Sequence, residues 1–322
     1  MFGTSVLVTG NTRRRASMRA SRLVLAAVAA AVMTLSAALP AAADEPLPVP
    51  YQFLPSAIAA GAQVNAPGTN DWECTPSPEH PRPVVLVHGT GGNKSTNWAT
   101  YGPLLKNEGY CVFALTYGAP ASSPTGHDAL GGFGDMRASA AQLAKFVGEV
   151  RAATGSDQVD LIGHSQGTLM PAHYVKFLGG APAVKNYISI APVWNGTGTD
   201  PVRPLSALAN AFGVQFPVCV SCPQLLTGSE FITDLHEGGL ASPGVEYLNI
   251  MSEYDELVVP YTSGAAPGMT NTVIQDLCPE DFADHLQLAA DPNVARLVLN
   301  RLDPAHAQPV DCRPQLPAVG GL

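Results

Sequence analysis

Gly163-His164-Ser165-Gln166-Gly167 sets a serine between two glycines in the pattern G-x-S-x-G. A serine hydroxyl is a weak nucleophile until a base takes its proton during attack. The pattern carries that chemistry when it forms a tight turn from a strand into a helix. The turn lifts the hydroxyl out of the chain, and the helix N-terminus beneath it favours developing negative charge. Both flanks fit: Gln158-Val-Asp-Leu-Ile162 reads as a strand, and Ser165 to Leu178 as a helix ended by Gly179-Gly180. The turn is so tight that larger side chains at 163 and 167 would clash.

A nucleophilic serine needs a base, and the base needs an orienting carboxylate. Of the eight histidines, His80 and His127 precede the serine in loops, and His88 and His164 lie inside turn motifs that they shape. His173 is on the helix after Ser165, His236 is in a long insertion, and His306 is in a Pro-rich tail. His285 follows the last expected strand, which suits the chain order Ser, acid, His. The acid belongs in a loop after a strand between the two. Ser252-Glu253-Tyr254-Asp255-Glu256-Leu257 directly follows the strand 245–251, so Asp255 is the first choice and Glu256 the second. Asp284 is poorly placed to reach its own neighbour's ring and suits a turn cap; Asp281 is more remote. The developing oxyanion needs two backbone N–H donors. Gln166 supplies one, and the Gly-rich turn His88-Gly89-Thr90-Gly91-Gly92 supplies the other through Thr90, whose hydroxyl can add a third bond. That turn could also be a plain tight turn or a phosphate cradle, but the phosphate-loop pattern G-x-x-x-x-G-K-[ST] is not met at Lys94-Ser95.

These residues need a frame. Pro83-Val-Val-Leu-Val87 and Cys111-Val-Phe-Ala-Leu115 are short apolar β-branched runs, with room for a helix over 98–107 between them. Asp135 to Thr154 is an amphipathic helix with Asp135 at its start and Gly155 at its end. Tyr187–Ile190, Val245–Met251 and 271–275 read as further strands, and Pro292–Leu302 as a closing helix. Alternating strands and helices imply an α/β fold with a mainly parallel sheet covered on both faces. Residues 201–244 break the alternation as a small cap insertion, and 44–83 read as an extended arm. Leu205, Leu208, Phe212, Leu225, Leu226 and Phe231 of the insertion could line a pocket or could be ordinary core.

The chain has 322 residues, 46% hydrophobic and 13% charged, a globular composition. Its start reads as an export signal: five arginines between 13 and 22, an apolar run from Leu23 to Leu35, then Ala41-Ala42-Ala43. The run is shorter than the ~20 residues of a bilayer span. Met18 fits the start of such a signal better than Met1. Loss of residues 1–43 removes five of the 17 Lys and Arg and no Asp or Glu, taking the net charge from −9 to −14. So acidic a surface excludes nucleic acid and anionic membranes as partners and suits an uncharged substrate. Six cysteines, at 74, 111, 219, 222, 278 and 312, are an even set in an exported chain and read as disulfides in unknown pairing. Cys219-x-x-Cys222 could instead be a redox or zinc motif, but it lacks a second pair and a strand-helix context.

Val87-His-Gly-Thr-Gly-Gly-Asn93, Asn97-Trp98, Pro103-Leu-Leu-Lys-Asn-Glu-Gly-Tyr-Cys111, Gly163-His-Ser-Gln-Gly167, Tyr254-Asp-Glu256 and Asp284-His285 occur in order. Together they resemble the secreted actinobacterial lipases and esterases of lipase class 2, over about 48–304. The resemblance implies one catalytic domain, 44–322, of the α/β-hydrolase fold, hydrolysing carboxylic esters without a cofactor or metal. It also supports Ser165, Asp255 and His285 as triad, with Thr90 and Gln166 as oxyanion donors. A more distant similarity to fungal lipase B implies bridges Cys74–Cys111 and Cys278–Cys312, leaving Cys219–Cys222 as a local one. A secreted monomer acting on small or lipid esters, with transient contact at a lipid–water interface, is the resulting expectation. An acyltransferase or polyester depolymerase would use the same triad; a non-enzymatic binding scaffold would not need its complete set.

Overall fold

The computed structural model describes residues 1–3, 5, 45–61, 64–120, 130–199, 202–211 and 218–321. The chain divides into two units, Met1–Glu45 and Pro46–Leu322. The first is described only at 1–3, 5 and 45, so the body of the expected export signal, with Met18 and Ala43, lies outside the described residues. Among the described residues no helix is long and apolar enough to cross a membrane.

The second unit is built on six strands: β1 (Val84–Val87), β2 (Val112–Leu115), β3 (Val159–His164), β4 (Val184–Ile190), β5 (Glu246–Met251) and β6 (Thr270–Val273). Their order is β2-β1-β3-β4-β5-β6, and every pairing is parallel. β1, β2 and β3 are buried along their whole length. Neighbouring residues on each strand serve opposite faces. Val85, Val87 and Leu161 pack under the long helix Met136–Thr154, while Val84, Leu86 and Ile162 pack against Trp98, Tyr101 and the helix Pro292–Leu302.

Among the described residues the α-helices, in chain order, are α1 (Phe53–Ala60), α2 (Tyr101–Asn107), α3 (Met136–Thr154), α4 (Gln166–Phe177), α5 (Val202–Ala211), α6 (Glu230–His236) and α7 (Pro292–Leu302). α3 starts where Asp135 accepts a hydrogen bond from Ala138 N at 2.9 Å and stops at Gly155, whose φ of 68° is left-handed. α7 starts at Asp291, which accepts from Asn293 N and Val294 N, with Pro292 in the first turn.

One expectation needs correction, and one open alternative is decided in part. The arm 44–83 is not wholly extended, because it carries α1. That helix docks through Phe53 N, which donates to Gln287 Oε1 at 3.0 Å, and Leu54 N, which donates to Ala318 O at 3.0 Å. These two hydrogen-bond partners lie more than 230 residues away, so no local period announces it. The insertion 201–244, in turn, is core in part. Leu225 and Phe231 are buried with the α3 and α4 side chains, which places these two in the core, one of the two readings the sequence left open. Phe212, His127 and the side chains of Leu205 and Leu208 lie outside the described residues.

The three disulfides are Cys74–Cys111, Cys219–Cys222 and Cys278–Cys312. The first ties the arm to the start of β2, and the third ties the end of the sheet to the C-terminal tail.

Asp135 joins two elements, since its Oδ2 also accepts from Gln224 Nε2 at 2.7 Å. Asp135→Ala is expected to cost about 1 kcal/mol and lower the melting temperature by about 2–4 °C, read from a thermal melt followed by circular dichroism.

Candidate active site

The sheet order reverses between β1 and β3, which makes their C-terminal ends the topological switch point where open α/β sheets bind ligands. The His88–Gly92 turn leaves β1 there, and Ser165 follows β3. Ser165 has φ 56° and ψ −125°, a conformation that costs a non-glycine residue ~1–3 kcal/mol and persists only when packing imposes it. The packing is visible at the flanking glycines. A Cβ at Gly163 would lie 1.9 Å from Gly167 O, and one at Gly167 would lie 2.0 Å from Val87 O. Ser165 N donates to Ile190 O at 3.0 Å.

His285 comes to the same end of the sheet. Its Nδ1 lies 2.9 and 2.8 Å from the two carboxylate oxygens of Asp255, and both side chains are almost fully buried. Asp255 Oδ1 also accepts from Leu257 N at 3.0 Å and Val258 N at 2.8 Å, so the carboxylate is fixed by its own turn. Glu256 takes a different partner, accepting from the main-chain N–H of His285 at 3.1 Å. Asp284 caps the turn after it, accepting from Gln287 N at 2.8 Å and Ala318 N at 3.1 Å. His164, next to Ser165, donates from Nε2 to His285 O at 2.9 Å, and the two rings lie 5.1 Å apart. This bond holds the histidine loop beside the serine turn.

Thr90 and Gln166 also meet. As the first residue of α4, Gln166 has no intrahelical acceptor for its main-chain N–H. Its fully buried side chain donates to Thr90 Oγ1 at 3.1 Å and to Gly132 O at 2.9 Å, and its Oε1 lies 3.0 Å from the Tyr117 hydroxyl. His88 Nδ1 donates to Gly89 O at 2.7 Å, which leaves Nε2 to accept from Tyr117 N at 3.3 Å. Its ring stacks on Tyr117 at 4.3 Å. Asn97 Oδ1 accepts from Gly89 N at 3.1 Å and lies 3.2 Å from His164 Nδ1.

Several of these parts escape sequence reasoning. Gly131 and Gly132 back the Thr90 turn, with Gly91 N donating to Gly131 O at 2.9 Å and Gly131 N to Gly92 O at 2.7 Å. The glycine density of Leu130-Gly-Gly-Phe-Gly134 was the available signal. Phe53 of the arm places its ring 6.1 Å from His164, and nothing local marks it. Of the other histidines, His236 Nε2 bonds Trp194 O, His80 stacks on Tyr110, His173 packs among Phe177 and Phe231, and exposed His306 pairs with Asp303. Among the described residues no group of three or more His, Cys, Asp or Glu side chains could hold a metal ion.

The histidines differ in electrostatics. Burial lowers His88 to about 4, and burial with the neighbouring His285 lowers His164 to about 3. Both stay neutral in the fold. Because they bind protons more readily unfolded, they withdraw stability as pH falls below 6.5 toward these values. For His285 burial also pulls downward, but the Asp255 charge and hydrogen bond, with Glu256 and Asp284, outweigh it and leave the pKa raised. A proton-detected NMR titration of the imidazoles should find His285 titrating above 6.5 while His88 and His164 remain neutral down to about 4 and 3. Asp255→Asn should move the His285 midpoint down.

Known proteins resemble this chain at two levels, fold and sequence. Lipase B of Aspergillus fumigatus superposes with TM-score 0.54 at 23% identity, over 77% of this chain and 56% of that one. The mature form of a Bacillus licheniformis lipase superposes with TM-score 0.51 at 17% identity, over 71% and 94%. These likenesses establish the α/β-hydrolase fold. A stretch of 88 residues, 27% of this chain, is 39% identical to triacylglycerol lipases of Pseudarthrobacter phenanthrenivorans and Burkholderia plantarii. The chain spans about a quarter of the length of these curated relatives, 26% and 23%. The model of the family Lipase (class 2) matches residues 81–298, about two thirds of the chain, from the start of the sheet into α7. The chain therefore belongs to the class 2 lipases, a family of ester hydrolases on the α/β-hydrolase fold.

Proposed function

We propose that Ser165, His285 and Asp255 form a catalytic triad that hydrolyses neutral carboxylic esters, triacylglycerols among them, outside the cell. The observation that carries this reading is the Asp255 carboxylate on His285 Nδ1 at 2.8 Å, in a loop tied by its carbonyl to the residue beside Ser165. With Nδ1–H committed to Asp255, neutral His285 presents the Nε2 lone pair that a base needs.

His285 takes the Ser165 proton as the serine oxygen bonds to the ester carbonyl carbon. The main-chain N–H groups of Thr90 and Gln166 bind the oxyanion, and the Thr90 hydroxyl adds a third donor, because its oxygen already accepts from Gln166. Losing one such donor costs ~3–4 kcal/mol of transition-state stabilisation. The carbon–oxygen bond to the alcohol then breaks, and His285 returns the proton to the leaving alcohol. Water, deprotonated by His285, attacks the acyl-enzyme and releases the acid and free Ser165. The three disulfides support an oxidising compartment. The acidic mature surface, at net charge −14 once residues 1–43 are removed, favours uncharged substrates. The bacterial relatives, which are triacylglycerol lipases, suggest the glyceride. Each step uses groups of one chain, in keeping with a working monomer that touches a lipid–water interface only in passing.

The test is hydrolysis of p-nitrophenyl esters from C2 to C16 by the mature protein. Ser165→Ala should lose activity by at least about 10⁴-fold, and Asp255→Asn by about 10³–10⁴-fold. Activity surviving in Ser165→Ala rejects the nucleophile. Full activity in Asp255→Asn with loss in Glu256→Gln would move the acid to Glu256. Since the working form of His285 is neutral and its pKa is raised, the acid limb of kcat/KM should fall above pH 6.5. In Glu256→Gln, which removes one raising charge, that limb should shift to lower pH with most activity retained.

A further inference from the structure

The Cys219–Cys222 bridge has a sequence separation of 3. So short a cross-link removes little entropy from the unfolded chain, and its effect is local. The turn it closes rests on the loop behind Thr90. Val220 N and Ser221 N donate to Phe133 O at 2.8 and 3.2 Å, and Ser221 Oγ donates to Gly132 O at 2.5 Å. The bridge shapes the turn from within, since Cys222 N donates to Cys219 Sγ at 3.1 Å.

A carbonyl oxygen has two lone pairs. At Gly132 one is taken by Ser221 and the other by Gln166 Nε2 at 2.9 Å, whose second proton goes to Thr90 Oγ1 at 3.1 Å. There is little slack at this joint. Gly132 is left-handed at φ 77°, and a Cβ there would lie 3.0 Å from both Gln166 Oε1 and Thr90 Cα. Ser221 and Gln166 are both fully buried.

We propose that the Cys219–Cys222 turn is a reductant-sensitive latch on the oxyanion site, with Ser221 as a positioning residue that acts through the Gly132 carbonyl on Gln166 and Thr90. The proposal rests on the reading of Thr90 as an oxyanion donor. While the bridge is closed, Ser221 pins Gly132 O, and the Gln166 amide is held with its Nε2 toward Thr90. Thr90 Oγ1, already an acceptor, turns its own proton toward substrate. The reductant is a dithiol. Cys219 is partly exposed and Cys222 is 1% exposed, so one thiolate of the dithiol attacks the Cys219 sulfur. The sulfur–sulfur electron pair leaves on Cys222, which takes up a proton. The second thiolate of the dithiol then attacks the reductant's own sulfur in the mixed disulfide and expels Cys219, which is also protonated. Two protein thiols and one cyclic disulfide result. In the open turn Ser221 leaves Gly132 O, and the Gln166 amide can rotate. The loss falls on kcat and not on KM, because the oxyanion exists only in the transition state.

The experiment measures kcat and KM for p-nitrophenyl butyrate in the wild type, Ser221→Ala, Ser221→Thr, Thr90→Val, Ser221→Ala with Thr90→Val, and Cys219→Ser with Cys222→Ser. Ser221→Ala and the double cysteine variant should each lose about tenfold in kcat with KM within about twofold, and Ser221→Thr should recover most of the loss. In the Thr90→Val background, Ser221→Ala should cost less than about twofold. Dithiothreitol, with opening of the 219–222 bridge confirmed by alkylation and peptide mass, should bring the wild type to the level of the double cysteine variant and leave that variant unchanged. Wild-type kcat in Ser221→Ala and in the double cysteine variant, with loss in Thr90→Val, overturns the latch and leaves Thr90 in its role. Losses that follow a fall in melting temperature, or that Ser221→Thr does not recover, make the turn a structural staple and also overturn it. Wild-type kcat in Thr90→Val rejects the Thr90 hydroxyl itself, and the latch with it.

Discussion

The site depends on how closely two backbones approach beneath Ser165. Gly167 lies so near the Val87 carbonyl, and Gly163 so near the Gly167 carbonyl, that no side-chain carbon fits at either. This contact seats the first turn of α4 against the ends of β1 and β3. From it follow the left-handed backbone of Ser165, the position of the Gln166 N–H at a helix start, and the adjacency of the Thr90 turn. The strain at one residue is carried by burial of the surrounding strands, which have no exposed residue.

The histidine loop is held from several directions at once. His164 bonds its carbonyl, Glu256 its N–H, Asp255 its ring, and Asp284 caps the turn that follows. Gln287, just beyond, reaches the arm at Tyr51 O and Phe53 N, and the Cys278–Cys312 bridge fastens the tail nearby. Burial alone would make His285 a poor base. The carboxylates around it restore its basicity, and the same burial raises Glu256 toward its neutral form. Further along, Asp291 caps α7 with its carboxyl pushed well above the usual range by burial and by Asp281.

The Thr90 side of the candidate site is organised by a single amide. Gln166 leaves its main-chain N–H without an intrahelical acceptor at the helix start, while its side chain links Thr90, Gly132 and Tyr117. Tyr117 in turn stacks on His88, which sets the start of the Thr90 turn. Residues from the ends of β1, β2 and β3 and from the insertion thus share one hydrogen-bond network.

Much of this was legible in the sequence because it rests on local rules. The strand runs at 83–87 and 111–115, the capped helix after Asp135, the helix 292–302 and the serine turn all follow from periodicity, capping and glycine placement within a few residues. The order of Ser165, Asp255 and His285 could be read from motif order along the chain. Tertiary structure alone decided which carboxylate met the ring and which met the backbone, since Asp255 and Glu256 are adjacent and differ only in how their turn points them. It also decided that the arm folds as α1 onto Gln287, that Leu225 and Phe231 are core, and that Ser221 and Gln166 share one carbonyl. These are contacts across tens to hundreds of residues. A short stretch of sequence specifies its own backbone preferences but holds no record of the distant surface that will satisfy its polar groups.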